Sequence, residues 1–287
     1  MHWTDRRKKF RAVLAGARCV HPGSVFDPMS ARIAEDLGFE VGMLAGSTAS
    51  MTVLGAPDLI VLTLSEFAQQ CYRICRAGNL PLLVDADHGY GNALNVKRTV
   101  EELETAGVAA LTIEDTLLPT AFGSLKPQLI SIDEGVGKMR AALAGRQDPD
   151  LVVVGRTGAL AMSGLDDTLA RVGAYAAAGV DAIFLVGLRT REQLDAVSAA
   201  VKIPIFLGNA PADLQDLAYL SSRNVRICLQ GHLPIMAAVR AVHDTLKALR
   251  EGTPPAKIGG IASDELMKQV TRDQSYKRWT KDFLGGA

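Results

Sequence analysis

A (β/α)8 barrel of the TIM type is the fold class that the amino-acid sequence predicts, and three observations predict it. Short apolar segments alternate with helical patterns along the chain. Eight such pairs fill roughly 250 residues, the usual size of this barrel. Charged or hydroxyl residues recur directly after the apolar segments, at the strand ends where parallel α/β proteins build their active sites. An open doubly wound sheet is the alternative, although the first strand–helix turn lacks the Gly-x-Gly-x-x-Gly pattern of dinucleotide-binding folds.

Eight apolar segments have the length and composition of strands buried in a parallel sheet. They are residues 19–25, 41–45, 80–84, 110–113, 151–154, 182–186, 203–207 and 225–229. Eight further segments place apolar residues three to four positions apart, as amphipathic helices do. They are residues 30–37, 65–77, 96–106, 132–144, 166–178, 191–200, 212–220 and 233–250. Gly38, Gly107 and Gly179 each follow such a segment and predict helix ends there.

The chain continues beyond the eighth helix, where a Gly-Thr-Pro-Pro break precedes a helical tail from about residue 258. We expect residues 1–287 to form a single barrel domain that includes this tail. Trp279, Phe283 and Leu284 add apolar groups that a closed barrel does not need. They either fold back on their own chain or bury against a second copy, and we expect a homo-oligomer.

The composition excludes several classes of partner. Lys and Arg total 31, as do Asp and Glu, so the sequence predicts neither a nucleic acid nor a membrane surface as partner. No apolar run approaches the roughly 18 residues of a spanning helix, and residues 1–11 lack the apolar core of a signal peptide. The sequence therefore predicts a cytoplasmic protein. Its four cysteines are interpreted as buried free thiols, although the spacing of Cys71 and Cys75 would also suit a metal.

The most informative local feature is a pair of carboxylates at the end of the strand predicted at 80–84. Asp85 and Asp87 are one residue apart, and alternation along a strand would point both to the same side. Two like charges at the mouth of an apolar strand are costly unless a cation lies between them. Mg²⁺ is the simplest candidate because it prefers oxygen ligands. The alternative is two solvated carboxylates in a loop.

Polar groups also end three other predicted strands. Glu114 and Asp115 follow one strand, Arg156 follows another, and Ser47 lies just after a third. Carboxyl ends of parallel strands meet at one edge of a barrel, so these groups are predicted to share a site. The long segment 116–128 follows the Glu114–Asp115 strand end, and we interpret it as a lid over the barrel mouth, with a passive connection as the alternative.

Six motifs together resemble the isocitrate lyase/phosphoenolpyruvate mutase superfamily, over residues 25–232. They are Phe-Asp-Pro-Met-Ser-Ala-Arg at 26–32, Gly-Ser at 46–47, Ala-Pro-Asp at 56–58, Asp-Ala-Asp at 85–87, Ile-Glu-Asp at 113–115 and Arg-Thr at 156–157. The segment Asp-Ala-Asp-His-Gly-Tyr-Gly-Asn-Ala-Leu-Asn at 85–95 and the pair Gly231-His232 are similar to the oxaloacetate decarboxylase subgroup.

The resemblance implies a helix-swapped barrel that assembles as a dimer of dimers and uses Mg²⁺, or Mn²⁺, on an α-keto acid. It also implies roles for single residues. Asp85 would be the direct metal ligand, and Asp58, Asp87 and Glu114 would hold the metal through water. Ser47, Arg156 and His232 would contact the substrate, with Arg156 and His232 as the catalytic groups.

The resemblance further implies a carbon–carbon lyase, in particular a Mg²⁺-dependent decarboxylase. It would convert oxaloacetate, or a close α-keto dicarboxylate, to pyruvate and CO2 through a metal-stabilised enolate. Isocitrate cleavage is not expected, because segment 117–126 lacks the Lys-Lys-Cys-Gly-His loop of those lyases. The Lys and Asn-Ser loop pattern of the phosphonate enzymes is also missing.

Two departures and several alternatives stay open. Gly158 stands where the family usually has Asn or Asp, and residues 206–209 lack the tyrosine of the subgroup. The chain could instead be a lyase or hydrolase of another α-keto or 2-hydroxy acid, or a dicarboxylate-binding barrel with little turnover. Arg156 could be a structural ion-pair partner of Glu114 or Asp115, Ser47 a helix N-cap, and His232 a structural group.

Overall fold

In the computed structural model, which describes residues 3–124 and 126–285, eight parallel strands form one sheet in chain order. The strands are β1 (Gly23–Ser24), β2 (Gly42–Leu44), β3 (Leu82–Asp85), β4 (Ala110–Glu114), β5 (Val152–Thr157), β6 (Ala182–Leu185), β7 (Ile205–Leu207) and β8 (Val225–Cys228). A parallel bridge between Val20 and Ile227 joins β8 to the residues before β1. The Val20 carbonyl accepts from the Cys228 N–H at 3.0 Å, which closes the sheet. The predicted barrel is therefore confirmed.

Ten helices surround the barrel strands in the described residues up to His232. They are α1 (Trp3–Ala15), α2 (Pro28–Asp36), α3 (Gly46–Ala49), α4 (Leu64–Cys75), α5 (Ala93–Thr105), α6 (Ile132–Gly145), α7 (Ala159–Met162), α8 (Leu165–Ala178), α9 (Arg191–Ala200) and α10 (Leu217–Ser222). A π-helical turn, Ser50–Leu54, follows α3, and a 3-10 turn, Ala212–Leu214, precedes α10. Gly38, Gly107 and Gly179 have φ of 83°, 93° and 100°, so they end helices where the sequence predicts.

Two apolar clusters hold this unit together. The larger one lies between the strands and the surrounding helices, and the smaller one fills the barrel interior. Phe10 of α1 belongs to the interior cluster, with its ring 6.2 Å from that of Phe206. Arg7 of α1 donates to the carbonyl of Val108, just before β4, at 3.0 Å. Helix α1 therefore covers the amino end of the strands, and the carboxyl ends are left for the site.

Residues from Leu233 onward form a second compact unit. It contains α11 (Leu233–Arg250), a 3-10 turn (Pro255–Lys257), α12 (Asp264–Thr271) and α13 (Asp273–Leu284). Six large apolar side chains at helical spacing are exposed on α11, namely Leu233, Met236, Val239, Val242, Leu246 and Leu249. On α13 the rings of Tyr276 and Trp279 meet edge to face, 5.1 Å apart. None of the described helices is both long enough and apolar enough to cross a membrane.

Candidate active site

A cavity of about 330 Å³ lies at the carboxyl ends of the strands. All seven residues for which the sequence predicts a metal or substrate role line it. They are Ser47, Asp58, Asp85, Asp87, Glu114, Arg156 and His232. The structure thus brings these seven side chains together, and their individual roles remain predictions.

Three neighbouring strands place two carboxylates around one guanidinium. The parallel register sets Glu114 of β4 beside Arg156 of β5, and β3 ends at Asp85 on the other side of β4. Arg156 pairs through Nη1 with Asp85 Oδ2, and its Nη2 lies 3.2 Å from Glu114 Oε2. Thr112 of β4 donates to Asp85 Oδ1 at 2.9 Å. Arg156 therefore does form the ion pair with Glu114 that the sequence offers as an alternative, and pairs with Asp85 as well.

Asp115, the second acid at the end of β4, lies outside the cavity. Its side chain is fully buried and accepts from Tyr175 Oη at 2.7 Å and from Arg171 Nη1 at 3.1 Å. Both donors come from α8, on the outer side of the sheet. Asp115 therefore has its own cation, and Arg156 is left to the acids of the cavity.

Asp87 reaches the cavity through a turn and not through strand alternation. β3 ends at Asp85, and Asp87 has a φ of 47°, in the left-handed region. Its N–H donates to Asp85 Oδ1 at 3.2 Å. Its carboxylate lies against Gly46, where a Cβ would be 2.6 Å from Asp87 Oδ1, so only glycine leaves room for it. The expectation that strand alternation orients Asp87 is wrong, because the backbone has already turned.

The cavity carries more negative than positive charge. Burial, reinforced by the charges of Asp85 and Glu114, raises the pKa of Asp87 to about 9. Burial also raises the pKa of Glu114, and raises that of Asp58 together with the Asp85 charge. Burial disfavours the charged Arg156 guanidinium, but the adjacent carboxylates outweigh this and raise its pKa. Four carboxylates thus share one guanidinium.

This donor set fits a hard divalent cation. All four acids offer oxygen, and a cation would relieve the repulsion that raises their pKa values. Within the described residues, no three Asp, Glu, His or Cys side chains converge closely enough to ligate one ion directly. The arrangement suits an ion that keeps most of its waters, as Mg²⁺ does. A direct bond to Asp85 would have to share that carboxylate with Arg156.

His232 is held by a residue that the sequence reasoning missed. Ser24, at the end of β1, has its Oγ 3.0 Å from His232 Nδ1. Burial lowers the pKa of His232, which favours the neutral imidazole near pH 7. Ser24 lies inside the strand predicted at 19–25, so the strand-end rule did not select it, although the observed β1 ends there. Ser47 lies inside α3, whose N-cap position is Ala45, so the N-cap alternative for Ser47 is wrong.

Other cavity residues were also missed because they carry no chemistry-bearing group or lie in irregular segments. Phe184 lies under Arg156, with the guanidinium carbon 5.5 Å from the ring centroid. Asn209 follows β7, and Ile60 lines the cavity with a φ of 59°, which is unusual for a β-branched residue. The remaining lining residues are Met43, Ala45, Leu118, Val186, Gly208, Leu229 and Gly231. Apolar side chains therefore make up much of the wall around the charged groups.

The two departures from the family pattern differ in position. Gly158 is the N-cap of α7 and does not line the cavity, whereas Gly208 and Asn209 do.

The predicted lid segment is closed at its base by an antiparallel bridge between Thr116 and Leu129, and Leu118 within it lines the cavity. Its opening and closing remain a prediction.

The fold and the cavity define a (β/α)8 barrel with an acidic site at the carboxyl ends of its strands. The family model for phosphoenolpyruvate phosphomutase matches residues 10–250. The chain therefore belongs to the phosphoenolpyruvate mutase/isocitrate lyase family, as its motifs predict.

Several relatives and solved structures are similar over their whole length. An oxaloacetate decarboxylase of Bradyrhizobium diazoefficiens is 60% identical over 285 residues, covering 99% of both chains. One from Rhodopseudomonas palustris is 58% identical over 285 residues, again covering 99% of both. Oxaloacetate acetylhydrolase in complex with 3,3-difluorooxalacetate has a TM-score of 0.86 at 28% identity, covering 99% of this chain and 98% of its own. Phosphonopyruvate hydrolase in complex with oxalate and Mg²⁺ has a TM-score of 0.84 at 29% identity, covering 97% and 99%.

Proposed function

We propose that this chain decarboxylates oxaloacetate to pyruvate and CO2 with the help of a divalent cation. The observation that carries the proposal is the group of four carboxylates around Arg156, in a chain 60% identical to a protein named oxaloacetate decarboxylase. A carboxylate-rich pocket repels a dianionic keto acid unless a cation mediates the contact. The charge of the cavity therefore favours a metal-dependent reaction.

Asp85 would hold Mg²⁺ directly, and Asp58, Asp87 and Glu114 would hold it through water, with Mn²⁺ as a substitute. When bound, the ion would act as a Lewis acid that draws electron density from the keto group of the substrate. The side-chain amide of Asn209 and the hydroxyl of Ser47 lie in the same cavity and can donate to a bound carboxylate.

Arg156 provides a fixed positive charge for the substrate. Its guanidinium is anchored by Asp85 and Glu114 and supported by the Phe184 ring, so it loses little freedom when a substrate binds. In the reaction, the bond between C3 and C4 breaks, CO2 leaves, and the electron pair forms the enolate of pyruvate. The preorganised guanidinium of Arg156, close to these atoms, would stabilise the negative charge as it develops.

His232 is proposed to bind the substrate and to relay a proton. With Ser24 on Nδ1, the Nε2 atom would be left to face the substrate, since His232 lines the cavity. A proton delivered to C3 of the enolate completes pyruvate. No nucleophile is required, which agrees with four cysteines that are all buried.

A second reaction on the same substrate has a specific observation in its favour. The fold matches oxaloacetate acetylhydrolase, one structure of which contains its product oxalate. Hydrolysis of oxaloacetate would consume water and give oxalate and acetate, whereas decarboxylation gives pyruvate and CO2. The two reactions are therefore separated by their products and not by the substrate consumed.

The test is to incubate the protein with oxaloacetate and Mg²⁺ and to quantify all four products. We expect pyruvate and CO2 in equal amounts, above the rate of the Asp85→Ala variant with the same metal. That variant is the matched control, because free Mg²⁺ also decarboxylates oxaloacetate slowly. Oxalate and acetate in equal amounts would establish the hydrolase instead. Oxalate resembles the planar enolate of pyruvate and should inhibit competitively, more tightly than pyruvate.

We also propose that the chain works in the cytoplasm as a homo-oligomer, a dimer of dimers with exchanged helices. The support is apolar surface on the second unit: Trp279 is 42% exposed, Phe283 76% and Leu284 79%. Deleting residues 259–287 should give smaller or aggregated species in size-exclusion chromatography. A monomer that is unchanged by the deletion would rule out assembly through this segment.

A further inference from the structure

Three consecutive carbonyl groups in the turn after β3 are each bound by a different element of the barrel. The Asp87 carbonyl accepts from the Glu114 N–H of β4 at 2.8 Å. The His88 carbonyl accepts from Lys138 Nζ of α6 at 2.9 Å. The Gly89 carbonyl accepts from Thr99 Oγ1 of α5 at 3.0 Å. The turn that carries Asp87 is therefore held from three directions.

Two non-glycine residues of this turn have a strained backbone. Asp87 and Tyr90 have φ values of 47° and 61°, in the left-handed region. A non-glycine residue in this region is strained and persists only where its surroundings over-determine its conformation. Gly89, at φ 79°, packs directly on α5, since a Cβ there would lie 2.4 Å from Val96 Cγ2. Helix α5 thus both contacts the turn and binds its carbonyl.

Lys138 has an environment that stability alone does not explain. Lys138 is 3% exposed, and its ammonium donates to the His88 carbonyl. The charges of Glu134, Glu114 and Asp115 act on this ammonium but do not outweigh the effect of burial, which lowers its pKa. A buried ammonium whose burial is only partly offset by neighbouring charges is costly compared with an apolar side chain of similar size. Thr99 is fully buried as well. Each of the two side chains donates a hydrogen bond to the turn between Asp85 and Tyr90.

We propose that Lys138 and Thr99 are positioning residues, which hold this turn so that Asp85 and Asp87 present their carboxylates to the divalent cation. The proposal rests on the metal site assigned under the proposed function. Neither residue lines the cavity, so each would act through the backbone. Groups behind a metal ligand commonly change metal affinity by about 10- to 100-fold when they are removed.

The chain offers a matched pair of threonines for the test. Thr99 and Thr168 are both fully buried, and both donate to a glycine carbonyl, Gly89 at 3.0 Å and Gly164 at 2.7 Å. Only Thr99 contacts the turn. Thr99→Val should weaken Mg²⁺ binding, measured by calorimetry on the full-length protein, by about tenfold. Thr168→Val should leave it within about twofold, and Thr99→Ser should restore it.

Lys138→Met removes the ammonium at nearly constant volume and should weaken Mg²⁺ binding by about 10- to 100-fold. Lys138→Met and Thr99→Val should both show faster amide hydrogen exchange confined to residues 86–92. Thr168→Val should not show it. If Lys138→Met does not fold, the comparison of Thr99→Val with Thr168→Val tests the inference without it. If Thr99→Val binds Mg²⁺ with wild-type affinity and Asp85→Ala does not bind it, the inference about the turn is overturned and the metal site stands. Wild-type Mg²⁺ affinity in Asp85→Ala would instead overturn the metal assignment of the proposed function.

Discussion

The two ends of the barrel both carry buried charge, but they differ in how that charge is balanced. At the amino end, Glu104, Asp148 and Asp181 each have an arginine within ion-pair distance. Arg7 Nη1 lies 2.7 Å from Asp148 Oδ2, and Asp181 lies 2.7 Å from Arg146 and 3.1 Å from Arg11. We call this set, with Glu104, the amino-end network. Burial opposes ionisation of Asp148, but hydrogen bonds from Arg7 and Thr4 outweigh it and lower its pKa.

At the carboxyl end, four acids share Arg156, and we call these five residues the carboxyl-end cluster. There the pKa of Asp87 is raised to about 9, because burial and three neighbouring carboxylates outweigh one guanidinium. The pKa of an aspartate is therefore lowered at the amino end and raised at the carboxyl end. Matched charges fix a structure by themselves, whereas an excess of one sign is stable only with a ligand of the opposite sign. The comparison predicts that changes at the amino end affect stability, and changes at the carboxyl end affect binding and turnover.

Replacement of Asp85 should have the largest effect. Asp85→Ala should abolish Mg²⁺ binding in calorimetry and reduce decarboxylation to the metal-only rate, because it removes the proposed direct ligand. The circular dichroism spectrum should be unchanged. Asp148→Ala is the control from the amino-end network. It should bind Mg²⁺ like the wild type but lose about 1–3 kcal/mol of unfolding free energy, since Arg7 is left buried with a weaker partner. Tight Mg²⁺ binding by Asp85→Ala would contradict the assignment.

Replacement of Arg156 should have the next largest effect. Arg156→Ala should lower kcat/KM by a factor that corresponds to about 2–4 kcal/mol, the scale of losing one preorganised charge-stabilising donor. Arg156→Lys should recover only part of this loss, because an ammonium cannot bridge Asp85 and Glu114 as the planar guanidinium does. Arg11→Ala, at the amino end, should leave kcat/KM unchanged. A similar loss in both alanine variants would mean that the two ends do not differ in function.

The sequence predicts this division of roles only in part. Apolar strands with polar ends could be predicted because strand composition and strand-end chemistry are local. They led to five of the proposed ligand and substrate residues, namely Ser47, Asp85, Asp87, Glu114 and Arg156, whereas Asp58 and His232 came from the family resemblance. The left-handed φ of Asp87 could not be predicted, since it depends on hydrogen-bond donors from β4, α5 and α6 that are distant in sequence. The contact between Ser24 and His232 joins the first and last strands, so closure of the barrel had to be known first.

The pH dependence of stability should also separate the two ends. The folded-state pKa of Asp87, about 9, is above its ordinary value of 3.8, so the metal-free folded protein binds this proton more tightly than the unfolded chain. Stability should therefore fall as pH rises from about 4 towards 9. Asp87→Asn should remove much of this decline and be more stable than the wild type by about 1–3 kcal/mol at pH 8 without metal. Urea unfolding with a chelator present measures it.

Adding Mg²⁺ provides the control for that experiment. Saturating Mg²⁺ should stabilise the wild type more strongly at pH 8 than at pH 5, because the ion competes with protons for the carboxyl-end cluster. Stability that rises between pH 5 and 8 in the chelated wild type would contradict the raised pKa of Asp87. The lowered pKa of Asp148 cannot cause such a rise, because it changes stability only near and below its ordinary value of 3.8.

The cysteines should have the smallest effect on turnover. Cys19, Cys71, Cys75 and Cys228 are all buried, and burial raises the pKa of Cys19 to about 12 and that of Cys228 to about 11. Near pH 7.5 neither thiol would supply a thiolate. Replacing all four with Ala should leave kcat within about twofold of the wild type, even though the filled core loses volume and some stability. Iodoacetamide should modify the native protein only as fast as it unfolds.

Because decarboxylation through an enolate needs a cation and a proton but no nucleophile, one cysteine whose loss stops turnover in a folded variant would exclude this mechanism. Such a result would favour a lyase-like route.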